Sequence, residues 1–155
     1  MDLIRLTYTS VAVDGFQAED LRDIVAKSQR NNRLDDVTGF MMYAAPNFTQ
    51  CLEGERPVVK ALLKRIAADP QHTDIRLLAS CRLDTRQFAD WSMQLLHLDE
   101  DALKLVAPLC EQYRLDLANR LQPADEDRLM GLAEELARLF GRRREAGSRT
   151  APGYG

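Results

Sequence analysis

Apolar and polar residues alternate near the start of the chain: Ile4, Leu6 and Tyr8 fall on one side and Arg5, Thr7 and Thr9 on the other, a period of two that predicts a β-strand. From about Gln17 to Arg33 the period lengthens. Leu21, Ile24, Val25 and Ser28 share a helical stripe opposite Glu19, Asp20, Arg22, Asp23 and Lys27, so an amphipathic helix follows the strand. Two short apolar runs, Val37 to Tyr43 and Asn47 to Glu53, are separated by Ala-Ala-Pro, which leaves room only for a hairpin-like connection. Pro57 suits the first turn of a second helix that carries Val58, Val59, Leu62, Leu63 and Ile66 inward and ends at Asp69-Pro70. Ile75 to Leu83 and Trp91 to Leu98 read as two further strands, joined by a polar connection holding Arg82, Asp84 and Arg86.

This order, βαββαββ, predicts an α+β, ferredoxin-like sandwich with its two helices on one sheet face. Residues 1–97 form that domain. Most of the remainder to Phe140 is helical, interrupted by Pro108 and Pro123, with one stripe through Leu103, Val106, Cys110 and Tyr113 and another through Leu129, Leu132, Ala133, Leu136 and Phe140. These apolar faces need a partner, and the open sheet face is the nearest one. Residues 98–141 are therefore expected to cap that face, a subunit interface being the alternative, and residues 142–155, which begin with three arginines, to form a flexible tail.

With 155 residues and 45% apolar content the chain suits one substantial core, which excludes a disordered chain or a multidomain enzyme. The net charge of −3 offers nothing to a polyanion, so no nucleic-acid partner is expected. No apolar run is long enough for a membrane span, and the start MDLIRLTYTS has an acid where a signal peptide would be basic; a cytoplasmic location is expected. Cys51, Cys81 and Cys110 are odd in number and widely spaced, which argues for reduced packing residues. His72 and His97 have no companion ligands, so no metal site is expected, and no nucleophile elbow, P-loop or GxGxxG pattern appears.

The informative residues are polar groups on apolar faces, because a buried amide or hydroxyl must find a partner. Gln50 falls between Phe48 and Leu52 on one face of the third strand, and Tyr8 lies on the inward face of the first. The stripe of the first helix turns polar at Ser28, Asn31 and Asn32, while the second helix contributes Arg65 and Asp69 at i, i+4. Each residue alone fits a plain role: a sheet tyrosine, an edge glutamine, a helix terminator, a surface ion pair. Trp91 and Met93, on one face of the last strand, read as core. Jointly, the polar residues converge on the space between the helices and the sheet. Such a slot suits a flat heterocycle whose edge alternates carbonyl and NH groups, with Ile24, Ile66 and Phe48 covering its faces.

The segments RLTYTS, DLRDIVAKSQRNN, VTGFMMY, FTQCLEG, RIAADPQH and RQFADWSM, within residues 4–93, resemble in order and spacing the BLUF domains, blue-light sensors that use flavin. The chain length and the short helical extension are similar to the stand-alone members that act through a separate protein. The resemblance implies a non-covalent flavin, commonly FAD with FMN or riboflavin as alternatives, and no catalytic activity. It implies that Tyr8 is the photoactive tyrosine, Gln50 the switching glutamine, Asn32 the contact near flavin O4 and Asn31 a ring-edge contact. Ser28, Arg65 and Asp69 match further pocket residues, and Trp91 and Met93 match a strand-five pair whose surroundings respond to light. Gln94 departs from the family, standing where a glycine is frequent. By this similarity, excited flavin takes an electron and then a proton from Tyr8 by way of Gln50, both return, and the altered amide strengthens its hydrogen bonding to the ring and shifts absorption to the red. A downstream effector protein of unknown identity and a homo-oligomer, dimer or larger ring, are expected.

Two other classes share the strand-helix order. An RRM-like binding module without chromophore would also place aromatic residues where Tyr8 and Phe48 stand, but the acidic balance and the missing basic RNP segment disfavour it. An acylphosphatase-like hydrolase would need an anion cradle near the first loop, where only Gly15 is offered.

Overall fold

The computed structural model describes the backbone of residues 2–146 and the side chains of residues 2–136, 138 and 139. Five strands and two helices follow the expected order: β1 (Leu3–Ala12), α1 (Ala18–Asp35), β2 (Thr38–Ala44), β3 (Asn47–Glu55), α2 (Arg56–Ala68), β4 (His72–Leu83) and β5 (Gln94–His97). The sheet order is β4-β1-β3-β2-β5, antiparallel except for the parallel β2–β5 pair. Two helices, α3 (Glu100–Tyr113) and α4 (Glu126–Ala146), complete the described fold. None of the described helices is long and apolar enough to cross a membrane.

Alternation along the strands divides the interior into two cores. Ile4, Leu6, Tyr8, Met41, Phe48 and Leu52 face α1 and α2, where Leu21, Ile24, Val25, Val59 and Leu62 meet them. Phe40, Met42, Cys51, Leu96 and Leu98 face the other way, against Val106 of α3 and Leu129, Leu132, Ala133 and Leu136 of α4. The C-terminal helices therefore cover the second sheet face. Expected stripe residue Phe140 lies outside the described side chains. Of the expected tail, residues 142–146 continue the α4 backbone and 147–155 lie outside the described residues.

Polar residues of β1 also lie beneath this cover. Thr7 and Thr9 are fully buried, with Thr7 Oγ1 donating to Glu126 at 3.4 Å and Arg120 Nε donating to Thr9 Oγ1 at 2.9 Å. Arg120 also bonds Asp74 at the irregularity in β1–β4 pairing, which fastens the α3–α4 connection to the sheet.

Three local expectations need correction. Pro108 does not interrupt the helix: α3 continues through it, whereas Pro123 opens a short 3-10 turn. The last strand is only four residues long, and its ladder begins at the Phe40–Gln94 pair. Trp91 and Met93 therefore precede the strand and do not share a face. A bend at 92–93 breaks the two-residue alternation, so Met93 enters the α1/α2 core while Trp91 packs against the opposite one.

Candidate functional site

Register places the central pair. Tyr8 on β1 lies directly across from Gln50 on β3, and Met41 on β2 opposes Gln50 from the other side. Tyr8 is fully buried and Gln50 is 3% exposed, so neither can rely on water. The Tyr8 hydroxyl donates to Gln50 Oε1, and Gln50 Nε2 donates to Met93 Sδ at 3.5 Å. Both ends of the amide are thus engaged, one by a phenol and the other by a soft, weak acceptor.

Met41 and Gln50 floor a cavity of about 210 Å³ between α1 and α2. Ile24, Ser28, Asn31 and Asn32 line it from α1, and Leu62, Arg65 and Ile66 from α2. Asp69, Gln71 and His72, which follow α2 in the chain, and Asp23 and Lys27 of α1 complete the lining. Asn31 and Asn32 do not end the helix, which runs on to Asp35 before the left-handed residue Asp36 caps it. Asn32 is only 2% exposed, and its Nδ2 has no hydrogen-bond partner. A buried amide donor facing a cavity costs stability unless an acceptor enters, so the wall is complementary to a ligand bearing a carbonyl. An isoalloxazine edge, with its ring carbonyls and NH, meets that requirement.

Burial sets the protonation of the site. It pushes the Tyr8 phenol well above its usual pKa, and the nearby Asp69 carboxylate pushes in the same direction, so Tyr8 is neutral. Burial lowers the pKa of His72, against an opposing pull from Asp69, and its Nδ1 lies 3.0 Å from Ser10 Oγ.

Most residues singled out from the sequence meet here. Tyr8 lies beneath the floor, bonded to Gln50, while Ile24, Ser28, Asn31, Asn32, Gln50, Arg65, Ile66 and Asp69 line the cavity. Phe48 does not; it is buried among Phe16, Tyr43 and His72, with ring centroids 5.5, 4.6 and 4.8 Å away. Arg65 pairs with Asp35 of α1 at 3.1 Å instead of with Asp69, whose Oδ1 accepts from the Gln71 backbone at 2.9 Å. Met93 reaches the Gln50 amide, whereas Trp91 stacks on Phe88 at 5.5 Å and meets Phe40 edge-on. Sequence reasoning missed Met41, Leu62, Gln71 and His72 as lining residues, and it placed Asp23 and Lys27 on the opposite face of α1, although both border the cavity. Met41 could have been found as the strand neighbour of Gln50, but His72 was weighed only as a metal ligand.

The sequence model of the family described as BLUF, sensors of blue light using FAD, matches residues 3–94. The photoactivated adenylate cyclase subunit alpha of Euglena gracilis is 32% identical over 99 residues, 63% of this chain and 10% of that protein. The blue light- and temperature-regulated antirepressor BluF of Escherichia coli is 32% identical over 108 residues, 67% of this chain and 27% of that protein. The chain thus matches about a tenth of the cyclase subunit's length and about a quarter of the antirepressor's. The dark-state structure of BlrB, a BLUF protein, superposes with a TM-score of 0.72 at 30% identity, covering 87% of this chain and 97% of that one.

Proposed function

The chain belongs to the BLUF family, and from that premise we propose that it is a blue-light photoreceptor, a sensor and not a catalyst, holding FAD non-covalently in the cavity between α1 and α2. The observation that carries this reading is the buried, unpartnered Nδ2 of Asn32, a residue in the wall of a cavity whose floor bears the bonded Tyr8–Gln50 pair. When bound, the flavin supplies visible absorption and, once excited, an oxidant. Asn31 and Asn32 orient the ring edge, Ser28, Arg65 and Asp69 supply further polar contacts, and Ile24 and Ile66 cover the ring faces. Tyr8 keeps its proton in the dark because its pKa is raised. With flavin bound, Tyr8 would give up an electron and a proton, the proton relayed through Gln50, and would take both back, so that the phenol is restored and only the Gln50 amide is left changed. The Gln50 amide then settles in a changed orientation or tautomer, its Nε2 leaves Met93 Sδ, and the surroundings of Met93 and Trp91 change with it.

The signal then passes through the sheet to α3 and α4 and on to a separate effector protein, with the photoreceptor acting in the cytoplasm as a homo-oligomer. The test is an absorption spectrum of the purified protein before and after blue illumination, followed by chromatography of the released chromophore. A yellow protein whose spectrum shifts to the red and recovers in the dark is expected, with FAD distinguished from FMN and riboflavin on release. A colourless protein that takes up no added flavin overturns the reading.

A further inference from the structure

Gln29 lies on α1 beside the cavity-lining residues Ser28, Asn31 and Asn32, yet it does not line the cavity. Half-buried, it reaches across to the segment before β5, where its Nε2 donates to the backbone carbonyl of Met93 at 3.0 Å. Met93 is therefore held at two atoms by two amides: its Sδ by Gln50 at 3.5 Å and its carbonyl by Gln29. Met93 is 1% exposed and stands just ahead of the β2–β5 ladder.

The segment is fixed upstream as well. The fully buried Glu53 carboxylate accepts from the backbone N–H groups of Gln87 and Phe88 at 3.1 and 2.8 Å, and Gly39 N–H donates to Trp91 O at 2.7 Å. Residues 92 and 93 form the bend between these anchors and the strand. A thioether is a weak acceptor, so the backbone bond from Gln29 is the stronger of the two holds on Met93.

We propose that Gln29 is a positioning residue that keeps Met93 under the Gln50 amide, and so sets how the surroundings of Met93 and Trp91 are balanced between dark and light. The inference rests on the photoreceptor reading above. When Gln50 turns, the Sδ contact is lost, Met93 moves away and its carbonyl leaves Gln29, so the Gln29 bond is made only in the dark arrangement and favours it. Removing the donor shifts the dark population toward the lit arrangement by about fivefold, the usual effect of one neutral hydrogen bond.

Trp91 is the only tryptophan, so 5-fluorotryptophan labelling of the flavin-loaded protein reports this segment through a single ¹⁹F position. Unsubstituted protein in the dark and under blue light defines the two reference positions. Gln29→Leu and Gln29→Glu both remove the donor, and Gln29→Lys retains one. In the first two variants the dark signal moves toward the lit position, its lit fraction rising about fivefold, while the flavin red shift stays undiminished; the lysine variant returns to the unsubstituted spectrum. Dark spectra of Gln29→Leu and Gln29→Glu that match the unsubstituted protein overturn the proposal, as does a lysine variant displaced as far as the leucine one. If the flavin shifts but the Trp91 signal does not move in unsubstituted protein, the proposal falls and the photoreceptor reading stands. If no flavin binds, the photoreceptor reading falls first.

Discussion

Tyr8 and Gln50 are directly opposed on adjacent antiparallel strands, and the phenol hydroxyl of one is bonded to the amide oxygen of the other inside a core that excludes water. This pair is the electron donor and proton relay of the proposed photoreaction. Tyr8→Phe removes the donor with little change in shape, and Gln50→Leu removes the relay while keeping the volume. Each variant is expected to bind flavin and to show no red shift in a light-minus-dark spectrum. A normal shift in either one removes that residue from the mechanism.

Asn32 makes opposite predictions for the empty and the loaded protein. Its Nδ2 is buried without a partner, so Asn32→Leu leaves the flavin-free protein at least as stable in urea, because an unsatisfied donor disappears. The same change removes a hydrogen bond to bound flavin and lowers its affinity by about tenfold, as one bond to a buried group does. Fluorescence titration with FAD reads the affinity. A loss of stability without a loss of affinity would make Asn32 a purely structural residue.

The raised pKa of Tyr8 has a defined signature in pH. An unfolded tyrosine ionises near ~10, whereas the buried phenol holds its proton to higher pH. Its contribution to stability is complete below that unfolded value and is lost as pH rises toward the native pKa. Urea unfolding should therefore show stability falling above about pH 10 more steeply in the unsubstituted protein than in Tyr8→Phe, while the red shift keeps its amplitude up to that pH. Equal slopes in the two proteins would show that Tyr8 is not the protected phenol.

Much of the site was legible because polar residues on apolar stripes are conspicuous. Gln50 between Phe48 and Leu52, and Ser28, Asn31 and Asn32 along a stripe begun by Leu21 and Ile24, announced a lined cavity from spacing alone. Where the reading failed, local periodicity no longer governed direction. Trp91 and Met93 keep the spacing of a strand face, but the bend ahead of β5 sends them to different cores. Phe48 shares a strand face with Gln50, which points it at the cavity by pattern, yet Phe16, Tyr43 and His72 enclose it farther along the strand. Thr7 and Thr9 looked like an ordinary polar face; their burial depends on Glu126 and Arg120, more than a hundred residues away, and no local pattern encodes that contact.

Gly39 marks a close approach of β2 to β3. Its φ is +147°, and a Cβ built there would lie 1.8 Å from the carbonyl oxygen of Cys51, the neighbour of Gln50. Backbone cannot yield as a flexible side chain can, so Gly39→Ala is expected to cost about 3 kcal/mol or more, read as a lower urea midpoint. A midpoint within error of the unsubstituted protein would show that β2 relaxes away from β3 at no cost.

The cap meets the photoactive strand through side chains that flank Tyr8. Thr7 donates to Glu126 in the first turn of α4 at 3.4 Å, and Arg120 in the α3–α4 connection reaches both the hydroxyl of Thr9 at 2.9 Å and its carbonyl at 3.3 Å. Because neighbouring strand residues point to opposite faces, a shift of the Tyr8 backbone on the flavin side must displace Thr7 and Thr9 on the cap side. Illumination should therefore change amide hydrogen exchange in the 114–122 connection and the first turn of α4, with a smaller change at the start of α3. Arg120→Ala should shrink that difference while sparing the flavin red shift, since Arg120 touches the cap side of β1 and does not line the cavity. Identical exchange in light and dark across residues 99–140 would place the output on another surface. An unchanged difference in Arg120→Ala would instead leave α4, through Glu126, as the route.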